Sequence, residues 1–389
     1  MAPKPPSFLL FEQSLAMRDP GVERRQDEGL AGLAMGDVMT DAPRLNPVRE
    51  VGFVQRLRRS IAALDGDRPV RIVAGFSGGA DSLALLAGLA SLRRFRLLEV
   101  RAVHVDHGIR SGSEAEARQS VEVARSFGIE CDVCTVSNAE VERHQGVGVE
   151  EALRRERYRA LAHAADRSGA YAVALGHHQR DQAETVMLHL LRGAGIRGAS
   201  GMRSLMELEV PWWQDERGGN PQAVRIWRPF LSEPAESVRN FAESLDLPIV
   251  EDESNADLGF RRNAIRHRAL PVLEAISPGA VAKLARFAEL AGDDSDELER
   301  QATLVLDDAA DPDLLPVDVL VALPLAVRRR VLLHWCRHRA RGVEIGSNRI
   351  DEILWVAGVK GRKRRVELGS GWSVLVSRNG LRLFSPAPS

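Results

Sequence analysis

The stretch of sequence that decides the fold is Phe76-Ser77-Gly78-Gly79-Ala80-Asp81-Ser82, which follows an apolar segment and opens a helical pattern. Its two glycines let backbone N–H groups approach an anion closely, and a helix N-terminus adds positive potential. Asp81 would repel a bare phosphate, so its presence predicts Mg²⁺ shared between this carboxylate and phosphate oxygens. The turn therefore predicts a phosphate-binding site.

Strands and helices alternate around this turn. Predicted strands are 70–76, 98–105, 131–136 and 171–175, and predicted helices are 51–64, 80–92, 114–127, 149–168 and 179–192. The alternation predicts an α/β fold in which helices wrap a parallel sheet and ligands bind at the carboxyl ends of the strands. Residues 203–222 are predicted to leave the sheet as an excursion, and the chain is predicted to return to the sheet as a strand at 227–231.

Two further segments place polar side chains at the ends of predicted strands. They are His104-Val105-Asp106-His107-Gly108 and the longer segment 176–185. On a helix, positions 177, 181 and 184 are i, i+4 and i+7, so His177, Asp181 and Glu184 would share one face. A solvated helix N-terminus explains the same acidic residues. A zinc site is a weaker alternative, because no fourth ligand has matching spacing.

The turn resembles the SGGxDS signature of the PP-loop ATP-pyrophosphatase superfamily; it matches neither the Walker loop nor the dinucleotide fingerprint. Further segments resemble the tRNA(Ile)-lysidine synthetase family of that superfamily, in order over residues 50–275. These segments are 104–108, 151–158, 176–185, 192–202, 228–231, 252–255 and 262–271.

This resemblance implies an adenine nucleotide α-hydrolase-like (PP-loop) domain that uses ATP with Mg²⁺. The residues implied for ATP are Ser77, Gly78, Gly79, Ala80, Asp81 and Ser82, with Asp81 as the metal ligand. Those implied for the place where cytosine and L-lysine meet are Arg157, His177, Asp181 and Glu184, while Arg262 or Arg266 would neutralise phosphate charge.

The reaction that the resemblance implies joins L-lysine to C2 of the wobble cytidine in a tRNA(Ile) with a CAU anticodon. It proceeds through an adenylated cytidine and releases pyrophosphate and AMP. The attacking lysine amine must be neutral, so we expect Asp181 or Glu184 to accept its proton.

Four parts of the chain differ in pattern. Residues 1–45 lack a sustained apolar period, which predicts a disordered extension. We predict a PP-loop domain at 46–232, a helical middle domain at 233–310 and a small α+β C-terminal domain at 311–389. Residues 321–389 carry fourteen Lys and Arg against four Asp and Glu. This basic tail, with Arg362, Lys363 and Arg364, predicts contacts with tRNA phosphates.

Composition indicates the setting of the protein. The 389 residues, 44% of them apolar, suffice for more than one core. Three cysteines, and no apolar run near the roughly 18 residues of a membrane span, predict a cytoplasmic protein without a membrane segment.

Three other functions stay open from the residues. Cys131 and Cys134 form a lone C-x-x-C, which is compatible with tRNA thiolation, although positions i and i+3 of a strand point to opposite faces. A nucleic-acid-binding module without catalysis would explain the basic tail but not the polar motifs. An amidating ligase would also release pyrophosphate, but we find no glutaminase-like segment to supply ammonia.

Overall fold

Two β-sheets organise the part of the chain that the structure, a computed structural model, describes. The described residues are 47–61, 64, 69–93, 98–106, 108, 113–144, 146–209, 223–250, 259–308, 311, 313–340, 343, 345–359 and 363–385. All of them belong to one compact unit, Asp41–Ser389.

The larger sheet has six strands. They are β1 (Val70–Gly75), β2 (Leu98–Asp106), β3 (Cys131–Thr135), β4 (Ala172–Ala174), β5 (Leu205–Glu209) and β6 (Ala223–Trp227). Their order is β3-β2-β1-β4-β6-β5, and all neighbours are parallel except β5 and β6. The turns after β1 and β4 therefore lie side by side at the carboxyl edge of the sheet. This topology confirms the predicted α/β fold.

The described residues from 47 to 243 include eight helices, and those that share a core with the sheet cover both of its faces. They are α1 (Pro47–Ile61), α2 (Ala80–Arg93), α3 (Ser113–Ser126), α4 (Asn138–Glu142), α5 (Val149–Ser168), α6 (Gln179–Leu191), α7 (Ile196–Ala199) and α8 (Ala235–Glu243). Successive side chains of a strand point to opposite faces. Ile72 of β1 accordingly packs in a core with α1, α2 and α8, while Val73 packs in a second core with α5.

The sequence interpretation was wrong at the edge of this sheet. Residues 205–209 form β5 rather than an excursion, and the predicted strand 227–231 instead ends at Trp227. The register pairs Leu205 with Trp227 and Glu209 with Ala223, so β5 satisfies the backbone of β6 as an antiparallel partner. Residues 210–222, including Trp212 and Trp213, lie outside the described residues.

The chain then continues through helices into a second sheet. The helical elements are α9 (Arg261–Ala264), a π-helical turn (Ile265–Ala269), α10 (Leu270–Ile276) and α11 (Ala280–Asp307). After them come β7 (Leu314–Leu315), α12 (Val317–Ala322), α13 (Leu325–Arg339), α14 (Ser347–Gly358), β8 (Arg364–Gly369), β9 (Trp372–Ser377) and β10 (Gly380–Phe384). This antiparallel sheet has the order β7-β10-β9-β8. Its core includes Ala302, so the C-terminal half of α11 packs against it.

Among the described helices we find none that is long and apolar enough to cross a membrane.

Candidate active site

The turn between β1 and α2 is held by hydrogen bonds within it and by one from Val250. Gly78 adopts φ +82°, a left-handed conformation that glycine tolerates without strain. Its carbonyl accepts a hydrogen bond from Val250 N at 3.0 Å. The Ser82 hydroxyl donates to Gly79 O at 2.9 Å and lies 3.2 Å from the Ser77 backbone nitrogen, which donates to it. Ser82 therefore braces the turn, and the hydroxyl of the exposed Ser77 lies 3.2 Å from the Ser82 hydroxyl.

The loop after β4 approaches this turn as closely as backbones allow. A Cβ at Gly176 would lie 2.6 Å from the Asp81 carbonyl oxygen and 2.9 Å from its carbonyl carbon. Only glycine fits this position without displacing the start of α2. The close approach brings His177 and His178 next to the PP loop, which we define as Ser77–Ser82.

His178 links the PP loop to α6. Its Nε2 lies 3.5 Å from Asp81 Oδ2 and its Nδ1 lies 3.1 Å from Asp181 Oδ2. Burial opposes protonation of His178, but the hydrogen bond with Asp81 and the two carboxylate charges outweigh burial and raise its pKa. His178 is also the N-cap of α6, and the Asp181 side chain accepts from its backbone N–H at 3.0 Å. Sequence reasoning missed His178, because histidine is not among the usual N-cap residues.

Two carboxylates of α6 bind two arginines from the following helices. Glu184 is 0% exposed and accepts from Arg262 Nε at 2.7 Å and from Arg266 Nε at 2.6 Å. Asp181 Oδ1 lies 3.1 Å from Arg262 Nη2 and 3.3 Å from Arg266 Nη2. Burial alone would raise the pKa of Asp181, but the positive neighbours and the His178 backbone amide lower it. We call these four residues the carboxylate–arginine cluster.

The π-helical turn Ile265–Ala269 follows directly on the four residues of α9. Arg262 in α9 and Arg266 in this turn are four positions apart, and both reach α6. Such turns are rare in proteins overall, but those that occur are frequently found at functional sites.

His177 was expected on the same helical face as Asp181 and Glu184, and this expectation was wrong. Helix α6 begins at Gln179, so His177 lies in the loop before the helix. Its Nδ1 accepts a hydrogen bond from Arg228 Nε at 3.3 Å. Desolvation lowers the pKa of His177 to about 3; Asp181 opposes this, and Arg228 adds to it.

Arg157 lies on α5 with its guanidinium 5.9 Å from the centre of the Tyr158 ring. Its positive charge also acts on His177, which places it near this loop. The structure thus brings Arg157, His177, Asp181, Glu184, Arg262 and Arg266 to one region beside the PP loop.

Asp81 is the carboxylate of this region without an arginine partner in the described residues. Its side chain is 48% exposed, and its ionic contact is with His178. The described residues contain no group of three or more His, Cys, Asp and Glu side chains arranged to hold a metal by themselves. A cation here would therefore need oxygens from a bound phosphate.

The basic residues predicted for tRNA are only partly described. Arg364 Nη2 lies 2.9 Å from Glu352 Oε1, and Lys363 is exposed just before β8. Arg362 lies outside the described residues.

The cysteines of the C-x-x-C do not form a disulfide, and both lie on β3. Burial raises the pKa of Cys131 to about 11 and also raises that of Cys134. The thiolate is the reactive form of cysteine, so this environment disfavours sulfur chemistry.

Comparisons with known proteins show which family this chain is similar to. A family model described as a PP-loop domain matches residues 52–273. The tRNA(Ile)-lysidine synthase of Streptomyces coelicolor is 41% identical over 268 residues, which cover 67% of this chain and 70% of that protein. That of Salinispora arenicola is 35% identical over 85% of this chain and 95% of its own. That of Alkalilimnicola ehrlichii is 37% identical over 76% of this chain, which spans 61% of that longer relative.

Proposed function

This chain belongs to the tRNA(Ile)-lysidine synthase family of PP-loop proteins, and from that premise we propose that it is an ATP-dependent carbon–nitrogen ligase. Its proposed substrates are ATP, L-lysine and a tRNA(Ile) with a CAU anticodon. Its product carries lysine at C2 of the wobble cytidine. The observation that carries this proposal is the contact of the carboxylate–arginine cluster with the PP loop through His178.

We propose that ATP binds along the turn after β1. The backbone N–H groups of the PP loop and the N-terminus of α2 attract its phosphates. The Asp81 side chain is half exposed and forms no ion pair with an arginine of the described residues. It therefore fits a Mg²⁺ that is also held by phosphate oxygens. The ion would neutralise charge on the departing pyrophosphate.

The first step of the proposed reaction transfers AMP. The cytosine O2 attacks the α-phosphorus, a P–O bond forms, and the bond to pyrophosphate breaks. Arg262 and Arg266 are 34% and 23% exposed at their side chains, so both can reach a phosphate that enters the site. Arginine binds phosphate in a bidentate manner, and this interaction would draw the two guanidinium groups away from the carboxylates.

The second step transfers lysine. Asp181 and Glu184, once their arginines bind phosphate, have negative charge to offer to the two ammonium groups of lysine. One of them takes a proton from the ε-ammonium; the neutral amine adds to C2, loses its remaining excess proton, and the C2–O bond breaks to release AMP. A carboxylate that still binds two arginines is a poor base, and these contacts support the proposed order of events.

The remaining parts of the chain have a proposed role in tRNA binding. We propose that 46–232 is the catalytic domain, that 233–310 supplies the two arginines, and that 311–389 contacts RNA phosphates through Lys363 and Arg364. Arg362 is part of this proposal by its position in the sequence alone.

The experiment that tests the function measures transfer of labelled lysine to RNA. Purified protein is incubated with ATP, Mg²⁺, labelled L-lysine and a tRNA(Ile) transcript with a CAU anticodon, and AMP is measured in parallel. We expect stable label on the RNA, no label on a transcript with uridine at the wobble position, and no label with Asp81→Ala. The matched control is Asp132→Ala, a partly exposed aspartate of β3 that pairs with Arg101.

Other outcomes would contradict the proposal. AMP formation without lysine transfer would indicate another nucleophile, and the absence of both products would favour a binding module. The role of the carboxylates has its own test: if Asp181→Asn and Glu184→Gln each keep the full rate of lysine transfer after adenylation, neither accepts the proton.

A further inference from the structure

Arg228, the residue that follows β6, is a cation in an unusual place. It is 4% exposed, and in the described part of the chain it has no carboxylate partner. Its Nε donates to His177 Nδ1 at 3.3 Å, and its Nη1 donates to the Arg203 carbonyl at 3.0 Å. It also shares a hydrogen bond with the Tyr158 side chain. A buried arginine is normally stabilised by a carboxylate or by several hydrogen bonds, because removing its charge from water is costly.

The hydrogen bond to His177 fixes where the proton of the imidazole lies. A guanidinium group can only donate, and it keeps its protons at any ordinary pH. Nδ1 of His177 must therefore be bare in order to accept. A neutral imidazole with a bare Nδ1 carries its hydrogen on Nε2. In the described residues Nε2 has no hydrogen-bond partner, which leaves it available to a ligand.

We infer that Arg228 is a positioning residue that fixes His177 as the neutral Nε2–H tautomer, so that His177 donates a hydrogen bond to a substrate oxygen and accepts no proton during the reaction. The inference rests on the proposed function, because it assumes that substrate binds beside this loop. Its consequence is a division of labour in the site: the carboxylates of α6 handle protons, and His177 stabilises negative charge that develops on oxygen.

Arg228 is itself held from the far side by α11. Arg203 accepts the hydrogen bond from Arg228 with its backbone carbonyl, and its side chain contacts α11. Arg203 Nη2 lies 2.6 Å from Asp296 Oδ2 and 3.7 Å from Asp293 Oδ1, and both aspartates belong to α11. The Arg203 guanidinium crosses α11 at Gly292, where a Cβ would overlap it. A chain of contacts thus runs from α11 through Arg203 and Arg228 to His177.

The first test reads the tautomer directly and requires no substrate. The protein labelled with ¹⁵N-histidine is compared by NMR with Arg228→Met, Arg228→Lys and the control Arg225→Met, which removes an exposed arginine from β6. Wild type and the control should show a bare Nδ1 and a protonated Nε2 at His177. Arg228→Met should show a mixture of tautomers, and Arg228→Lys, which keeps a donor that cannot accept, should restore part of the wild-type signal.

The second test reads the role of the tautomer in AMP formation. A glutamine amide can place an N–H near the position of Nε2 but has no basic nitrogen, whereas an asparagine amide reaches only as far as Nδ1. We expect His177→Gln to stay within about tenfold of the wild-type rate and His177→Asn to fall about 100-fold, since a hydrogen bond to a charged group has roughly that value.

Three outcomes would overturn the inference. They are an unchanged tautomer in folded Arg228→Met, a His177 in the wild-type protein with protonated Nδ1, and a His177→Gln variant as inactive as His177→Asn. If Arg228→Met does not fold, Arg228→Lys and the two His177 variants still decide. If the wild-type protein has the expected His177 tautomer and forms AMP but does not transfer lysine, the result would count against the proposed function and not against this inference.

Discussion

Replacing Gly176 with alanine tests whether the close approach of two loops creates the active site. The added Cβ would lie 2.6 Å from the Asp81 carbonyl oxygen, whereas ordinary contact begins near 3.4 Å. Both partners are backbone, so no flexible side chain can move aside. The loop after β4 and the start of α2 must separate by about 0.8 Å, which moves His177 and His178 away from Asp81.

The expected result is a large loss of rate with a moderate loss of stability. A misplacement of about 1 Å between reacting groups can lower a rate about 100-fold, and we expect AMP formation by Gly176→Ala to fall by tens of times. Overpacking of this kind lowers the free energy of unfolding by about 1–3 kcal/mol, so the assay is run well below the melting temperature.

Rates are compared at saturating ATP and tRNA. The matched control is Gly358→Ala at the exposed end of α14, where nothing in the described structure lies within 4 Å of an added Cβ. A Gly176→Ala enzyme that forms AMP within twofold of the wild-type rate would refute the reasoning.

Three further predictions concern charge, pH and the PP loop. Glu184→Gln leaves two arginines without their buried partner, so it should lower the free energy of unfolding in urea by about 3 kcal/mol. The control Glu297→Gln changes a surface ion pair and should have a much smaller effect. Equal effects of the two variants would contradict the burial argument. Because the pKa of His177 is about 3 in the folded protein against 6.5 when unperturbed, the unfolded state alone binds this proton between those values. Wild type should therefore lose stability relative to His177→Gln as the pH falls below 6.5, by at most about 1.4 kcal/mol for each pH unit, and a constant difference in denaturation midpoint would refute this. Ser82→Ala removes a hydroxyl that braces the turn and should weaken ATP binding about fivefold in calorimetry, in line with the loss of about 1 kcal/mol; unchanged affinity would show that the turn holds its shape without it.

The sequence predicts well those features that depend on neighbouring residues. Helix α5 begins and ends as predicted at 149 and 168. Its end is set locally, because Gly169 closes the helix in a left-handed conformation. The turn at Ser77–Ser82 is equally local, since glycines, serines and the helix start all lie within six positions. The turn indicated the PP-loop superfamily, and further local segments over residues 50–275 indicated the family.

Features that depend on distant residues could not be predicted in this way. The partners of Asp181 and Glu184 come from Arg262 and Arg266, about eighty positions later in the chain. Nothing in the local pattern indicates that two carboxylates proposed to bind lysine would bind arginines in the protein alone. His177 failed for a related reason: the helical spacing was correct, but His178 caps the helix and Gln179 is its first residue, so His177 lies two positions before the helix.

The spacing of Arg262 and Arg266 has a consequence for how this site tolerates insertions and deletions. The two residues are four positions apart, a spacing that puts side chains on one side of a helical segment, and both contact Glu184. An α-helix advances 100° per residue, so the loss of one residue between them would turn the second guanidinium by about that angle relative to the first. The register of this segment, and not only its composition, therefore sets the angular phase between the two cations.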